Sequence, residues 1–197
     1  MTATPPLVLA SGSRYRRELL ERLRVPFDVV VSDVDESPLA NETPAATALR
    51  LSRAKAEAVG GRRPDAFVIG SDQVAECDGR AFGKPGHHDA AVAQLRALRG
   101  RVVHFHSGLC VLAPAAARSA AGVVATRVRF RDCTDDTIER YLRLETPYDC
   151  AGSAKAEGLG IALLERIDSD DPTALIGLPL IALVTMLTSL GFPVLGA

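Results

Sequence analysis

The pattern of apolar and polar positions along the chain predicts alternating strands and helices. Short apolar runs rich in Val, Ile and Leu, typical of strands, occur at 7–10, 27–32, 66–71, 104–113, 121–131 and 161–167. Apolar residues recur at helical spacing at about 14–24, 44–59, 87–99, 134–144 and 179–190. Strands that alternate with helices in this way indicate a layered α/β fold.

Three local signals refine this prediction. Thr43 followed by Pro44 is typical of a helix N-cap and its first helical residue. Asp78-Gly79 predicts a tight hairpin turn. The neighbouring strands 104–113 and 121–131 are expected to form a β arm joined through "PAAARSAAG". Because no linker marks a boundary, we expect residues 1–197 to form one domain, with two lobes as the alternative arrangement of its core.

Composition excludes several classes of function. The chain has 197 residues with 23 Lys and Arg against 24 Asp and Glu, so its net charge of −1 offers no global field for a nucleic acid polymer. The uncharged stretch from 174 to 197 is interrupted by Gly and Pro, which favours a buried helix over a membrane span. No basic region precedes the first apolar run, so no secretory signal is expected. The cysteines are far apart and form no CxxC pair, which favours reduced thiols in the cytoplasm: Cys77, Cys110, Cys133 and Cys150.

The first predicted helix carries arginines where apolar residues are expected. In "LVLASGSRYRRELL" the helical phase places Arg16 within the apolar arc and directs Arg17 away from it. A helix N-terminus offers free N–H groups and a positive dipole, and Ser11 and Ser13 add hydroxyl groups there. These features predict a phosphate-binding site, with a structural carboxylate partner for Arg16 as the alternative.

The second predicted helix repeats this anomaly. Lys55 lies on the apolar stripe, four residues from both Leu51 and Val59. An inward lysine needs an anionic partner, unless its long side chain carries the ammonium group back to water.

Carboxylates follow two of the predicted strands. Asp72 comes at the end of the strand in "AFVIGSDQV", the position where α/β sheets bind ligands. Asp33, Asp35 and Glu36 follow an earlier strand, and such carboxylates suit a divalent cation such as Mg²⁺, although acidic loops are often only solvated. With Lys84 in "GKPG", the cations and carboxylates match a nucleoside triphosphate and its metal. No GxxxxGK[ST] loop is present, so a P-loop enzyme is excluded.

These residues resemble the Maf family of nucleotide pyrophosphatases. The similar segments occur in the family's order and span residues 7 to about 190: "LVLASGSRYRRELL", "VDES", "RLSRAKAEAV", "VIGSDQV", "GKPG", "YDCAGSAKAEGLG" and "DPTALIGLPLIALVTML". The resemblance implies a mixed, twisted sheet flanked by helices, in an elongated two-lobed fold with a central cleft, related to the inosine-triphosphate pyrophosphatases. It also implies hydrolysis of a nucleoside triphosphate to the monophosphate and pyrophosphate, and a possible homodimer.

The resemblance assigns a role to each candidate residue. Asp72 is expected to accept the proton of the attacking water or to bind the metal ion that acidifies it, and Glu36 is expected to help hold that ion, Mg²⁺ or Mn²⁺. The expected phosphate-binding side chains are those of Ser11, Ser13, Arg16, Arg17, Lys55 and Lys84, with Lys55 and Lys84 also counted as catalytic.

The segment "CAGSAKAEGLG" resembles the branch of the family that acts on 7-methyl-GTP. Glu157 is expected to accept two hydrogen bonds from the guanine edge, and Gln73 lies beside the catalytic aspartate. N7 methylation makes the base cationic, so Tyr15 is expected to supply an aromatic face, unless it belongs to the core through its helical phase. The alternatives are dTTP, UTP or CTP as substrate, or a nucleotide-binding regulator of septum formation.

Overall fold

A computed structural model describes residues 5–114 and 118–196. In chain order its strands and α-helices are β1 Leu7–Leu9, α1 Arg14–Glu21, β2 Asp28–Val29, α2 Pro44–Gly60, β3 Phe67–Cys77, β4 Arg80–Phe82, α3 His88–Leu98, β5 Val102–Leu112, β6 Ser119–Phe130, α4 Asp135–Glu145, β7 Leu164–Ser169 and α5 Leu180–Leu190. The predicted α/β class is confirmed, and the predicted helices are all present within a few residues of their expected ends.

The strands form one mixed sheet. Its order is β2-β1-β3-β5-β6-β7, with β4 paired to β3 off this path. β1 pairs in parallel with β2 and β3, whereas β4 runs antiparallel to β3 and β7 antiparallel to β6. Parallel strands need a crossover connection. Helix α1 connects β1 to β2, and helix α2 connects β2 to β3.

The chain folds into two compact units. The first consists of Met1–Asp72, Ser107–Val124 and Asp171–Ala197, and the second of Gln73–His106 and Ala125–Asp170. In the second unit α3 and α4 pack against each other.

In the first unit, successive side chains of β1 belong alternately to two apolar clusters. Leu7 and Leu9 of β1 belong to a core cluster that includes Leu19 of α1 and Leu183 of α5. The intervening Val8 belongs to a second cluster with residues of α2. Because successive side chains of a strand point to opposite faces, helices cover both faces of these strands, which explains their nearly continuous apolar sequence.

Two sequence signals for local geometry are confirmed. The Thr43 hydroxyl accepts a hydrogen bond from Ala46 N at 3.2 Å and caps α2, a contact worth about 1 kcal/mol. Asp78 and Gly79 have φ angles of 51° and 80° and form the turn between β3 and β4, with Cys77 opposite Arg80.

Three strands differ from their predicted bounds. The strand expected at 27–32 forms only at Asp28–Val29. β3 was expected to end at residue 71 but continues to Cys77, because it lies beside the long strand β5 and its last three residues also pair with β4. The strand expected at 161–167 begins at Leu164, because a 3₁₀ turn, Leu159–Leu163, precedes it.

The predicted β arm is supported in part. β5 and β6 are neighbours in the sheet, and Ala113 N donates to Arg118 O at 2.9 Å. Residues 115–117 of the connecting segment lie outside the described residues. Within the described residues, no helix combines the length and apolar character needed to cross a membrane.

Candidate active site

Helix α2 lies directly on the sheet because two glycines remove the side chains between them. A Cβ atom on Gly70 of β3 would lie 2.1 Å from Ser52 O, and one on Gly108 of β5 would lie 2.2 Å from Ala48 O. No side chain fits at either distance. The backbone of α2 therefore approaches the strands closely enough for its inward side chains to reach across their surface.

Lys55 uses this close approach to contact Asp72. Its Nζ donates to Asp72 Oδ1 at 2.6 Å, and the two side chains are only 6% and 10% exposed. The alternative in which Lys55 carries its ammonium group to water is therefore wrong. Asp72 lies within β3 rather than beyond its end, and the lysine offsets the charge that would otherwise be buried there.

A second carboxylate contacts the same ammonium group. Glu36 Oε1 lies 2.6 Å from Lys55 Nζ, on a side chain that is 56% exposed. Lys55 therefore joins a buried carboxylate from the sheet to an exposed carboxylate from the segment before α2. Lys55 thus brings Glu36 and Asp72 together, although neither lies at the end of a strand.

Arg16 also points inward, as its helical phase predicts. Its Nε donates to Gly177 O at 2.9 Å, and its Nη1 donates to Ser11 Oγ at 3.3 Å. Burial lowers the pKa of Arg16, while the charges of Asp72 and Glu36 act in the opposite direction. Neutral oxygens therefore hold the guanidinium, and the two carboxylates act on it through space.

The two predicted serines shape the start of α1. Ser13 is its N-cap, and its hydroxyl accepts from Arg16 N at 3.5 Å. Ser11 is buried, and its Oγ accepts from Ser13 N at 3.2 Å as well as from Arg16. The hydroxyl groups, the helix N-terminus and an arginine therefore lie together, as predicted for a phosphate-binding site.

The segment before α5, part of "DPTALIGLPLIALVTML", completes this region. The Gly177 carbonyl that binds Arg16 also accepts from the buried Ser71 hydroxyl at 3.0 Å. Asp171, in the acidic stretch "DSDDP", is 3% exposed and accepts from Ile181 N at 2.8 Å and Ala182 N at 3.2 Å. Asp171 therefore caps the first turn of α5 from a distant position in the chain.

Two expected binding residues at the start of α1 have partners on the same helix. Arg17 is exposed and pairs with Glu21 at 3.1 Å. Tyr15 is half-buried, and the guanidinium carbon of Arg14 lies 4.7 Å from its ring centroid. The aromatic face expected to bind a cationic base thus has a cation of this chain near it.

Three expected residues belong to the second unit. Gln73 is half-buried in β3, Lys84 is exposed after β4, and Glu157 is exposed. The loop of Lys84 is fixed at both ends, since Gly83 O accepts from Gln94 Nε2 at 3.0 Å and Gly86 N donates to Tyr148 O at 3.0 Å.

The turn that carries Glu157 is held by a carboxylate of α4. Glu145 contacts Lys155 Nζ at 2.5 Å and accepts from Leu159 N at 2.7 Å, so it fixes the chain on both sides of Glu157. Desolvation raises the pKa of Glu157, although the residue as a whole is exposed, and the charge of Lys155 lowers it.

The donor set at Lys55 fits a metal ion held chiefly by substrate. Glu36 and Asp72 provide carboxylate oxygens, the ligands that Mg²⁺ takes alongside water and substrate phosphates. Across residues 5–114 and 118–196, no group of three or more His, Cys, Asp or Glu side chains could hold a metal ion. Glu36 and Asp72 are the carboxylates at Lys55 that could contribute oxygen ligands to such an ion.

Comparisons with known proteins find similar sequences over nearly the whole chain. A family model described as "Maf-like protein" matches residues 6–190, which include every residue placed above. The 7-methyl-GTP pyrophosphatase of Cupriavidus pinatubonensis is 61% identical over 199 residues, covering 100% of both chains. The protein of the same name from Burkholderia pseudomallei is 63% identical over 98% of this chain and 91% of its own. A solved structure, that of the Staphylococcus aureus Ham1 protein, aligns with a TM-score of 0.45 and 16% identity over 64% of this chain and 72% of that chain.

Proposed function

The chain belongs to the Maf family, and from its relatives and its site we propose that it hydrolyses 7-methyl-GTP to 7-methyl-GMP and pyrophosphate. Such an enzyme is a hydrolase acting on a phosphorus-containing anhydride and removes a modified nucleotide. The relatives named for this activity match the chain over nearly its full length.

One observation carries the chemical part of the proposal. Lys55 joins Asp72 and Glu36 within the first unit, and Arg16 lies in their field. A buried carboxylate can orient a water molecule and accept its proton, and the cations beside it can offset the charge of a bound polyanion.

The proposed reaction is a displacement at the α-phosphorus. Asp72 orients a water molecule and accepts its proton, as the oxygen–phosphorus bond forms. The bond from the α-phosphorus to the oxygen that bridges it to the β-phosphorus breaks, and its electron pair leaves with pyrophosphate. Arg16 and Lys55 offset the negative charge that grows on the leaving group, with Arg17 and Lys84 as the further cations that the resemblance predicts.

We propose that Glu36 and Asp72 also hold Mg²⁺ or Mn²⁺. When bound, such an ion supplies positive charge to the phosphates and acidifies water. Exposure of Glu36 supports this role, because a carboxylate that is 56% exposed remains accessible to an ion that arrives with the nucleotide.

The preference for 7-methylguanine is assigned to Glu157 and Tyr15. One carboxylate can accept both hydrogen bonds that the guanine N–H and amino group donate. An aromatic ring beside a cationic base contributes about 0.5–2 kcal/mol. We place the activity in the cytoplasm, which the four free thiols support.

A substrate panel tests the proposal. We would incubate the protein with 7-methyl-GTP, GTP, dTTP, UTP and CTP at equal concentrations with Mg²⁺, and measure pyrophosphate and orthophosphate separately. The proposal requires fastest release from 7-methyl-GTP, as pyrophosphate, with the activity lost in EDTA and restored by added Mg²⁺. Faster release from a pyrimidine nucleotide would replace the substrate assignment, and orthophosphate as the product would overturn the chemistry.

A further inference from the structure

The segment that carries Glu36 has no secondary structure of its own. Residues 30–43, between β2 and α2, contain neither helix nor strand. Connections of this length without regular structure are uncommon in compact domains and are often functional. Some other contact must therefore hold Glu36 at its distance of 2.6 Å from Lys55.

Arg50 of α2 makes that contact. Its Nε donates to Glu42 Oε1 at 2.7 Å and its Nη2 to Glu42 Oε2 at 2.8 Å, a bidentate pair. The same Nη2 donates to Ser37 O at 3.0 Å, directly after Glu36 in the chain. One guanidinium group therefore binds the segment at two points and ties both to the helix that carries Lys55.

Glu42 strengthens this attachment. Its Oε2 also accepts from Leu39 N at 3.2 Å and from Thr47 Oγ1 at 2.9 Å. The Glu42 side chain is 10% exposed and that of Arg50 is 30% exposed, so solvent screens this pair less than a surface ion pair. Residues 37–42 are thus folded onto the first turns of α2.

We propose that Arg50 is a positioning residue for the reaction, which holds Glu36 against Lys55 by binding Ser37 O and Glu42. The expected effect of Arg50 on turnover rests on the proposed function, whereas its expected effect on residues 30–43 does not. Arg50 acts on the segment that carries Glu36, since the hydrogen bonds that its guanidinium donates go to Ser37 O and Glu42. Supporting contacts of this kind typically contribute about 10- to 100-fold to activity or metal affinity.

The test compares Arg50→Met with Arg53→Met. Arg53 is an exposed arginine one turn further along α2 and serves as the matched control. Hydrogen–deuterium exchange on the nucleotide-free protein should show faster exchange in residues 30–43 for Arg50→Met, with exchange in β1 and β3 unchanged. kcat should fall about 10- to 100-fold with little change in KM. Arg50→Lys keeps the positive charge but lacks the planar guanidinium group. Its kcat should lie between those of Arg50→Met and Arg53→Met.

Hydrogen–deuterium exchange and kinetics distinguish failure of the positioning role of Arg50 from failure of the proposed function. Unchanged exchange in residues 30–43 would overturn the positioning role, whatever happens to turnover. Faster exchange with unchanged kcat would also overturn it, because the segment would then be irrelevant to the reaction. If the wild-type protein released no pyrophosphate from any nucleotide, the proposed function would fail, and exchange would still decide whether Arg50 holds the segment.

Discussion

Among individual side chains, Lys55 determines how charge is arranged in the first unit. Its ammonium group contacts Asp72 and Glu36, and both it and Asp72 are nearly removed from water. Removing one partner of a buried ion pair costs about 3–5 kcal/mol when the other charge is left uncompensated. Substitutions here are therefore expected to change stability as well as turnover, and the two effects must be measured separately.

Asp72→Asn should reduce kcat by about 10²- to 10⁴-fold, because an amide cannot accept the proton of the attacking water. Nucleotide binding, followed by calorimetry, should persist because the cations remain. The free energy of unfolding should fall by about 1–3 kcal/mol, since Lys55 keeps Glu36 as its partner. Asp65→Asn, an exposed site before β3, is the control. Turnover retained in Asp72→Asn would remove this residue from the reaction.

Glu157→Gln should weaken discrimination in favour of 7-methyl-GTP. The introduced amide group would point a donor at donors of the guanine edge, which costs about 1–3 kcal/mol. The measurement is the ratio of kcat/KM for 7-methyl-GTP to that for UTP, with Glu165→Gln on β7 as the control. An unchanged ratio would show that another residue recognises the base.

Among secondary-structure elements, the packing of α2 against β3 and β5 matters most for the site. Lys55 reaches Asp72 because Gly70 and Gly108 allow the helix backbone to lie on the strands. The same packing places Arg50 next to the segment that carries Glu36.

Gly70→Ala should therefore lower both stability and activity. Its Cβ would lie 2.1 Å from Ser52 O, which backbone movement must relieve at a cost of about 1–3 kcal/mol or more. Gly61→Ala is the matched control, because its Cβ would meet Glu57 O at an ordinary 3.7 Å and its φ is −61°. Urea unfolding and initial rates would be measured for both. Equal stability of the two variants would contradict this packing argument.

Local sequence patterns predicted the positions of the helices and of most strands well. They predicted the ends of the strands and the long-range contacts less well. The extension of β3 depends on its neighbours β5 and β4, and polar residues such as Asp72 conceal it in the sequence. Helical phase correctly placed Arg16 and Lys55 inward, because that property is local. The contact of Arg16 with Gly177 joins residues 161 positions apart, and no periodicity reports such a contact.

For the protein as a whole, the ion pair of Glu42 predicts acid sensitivity. Hydrogen bonds from Arg50 lower the pKa of Glu42 from 4.5 to about 2. Between these values the unfolded chain binds more protons than the folded one, so stability is present above pH 4.5 and falls as pH falls toward 2.

Thermal unfolding across this range would measure the effect. Glu42→Gln should show a shallower loss of stability below pH 4.5 than the wild type. Glu21→Gln, which removes an exposed pair with Arg17, should follow the wild-type slope. Identical slopes for Glu42→Gln and the wild type would contradict the role given to the Arg50 pair.

Hydrolysis in water enriched in the heavy oxygen isotope tests the proposed reaction most directly. If water attacks the α-phosphorus of 7-methyl-GTP, mass spectrometry should find one heavy oxygen in each 7-methyl-GMP and none in the pyrophosphate released. Heavy oxygen in the pyrophosphate, or in orthophosphate released alone, would place the attack at another phosphorus and contradict the role proposed for Asp72.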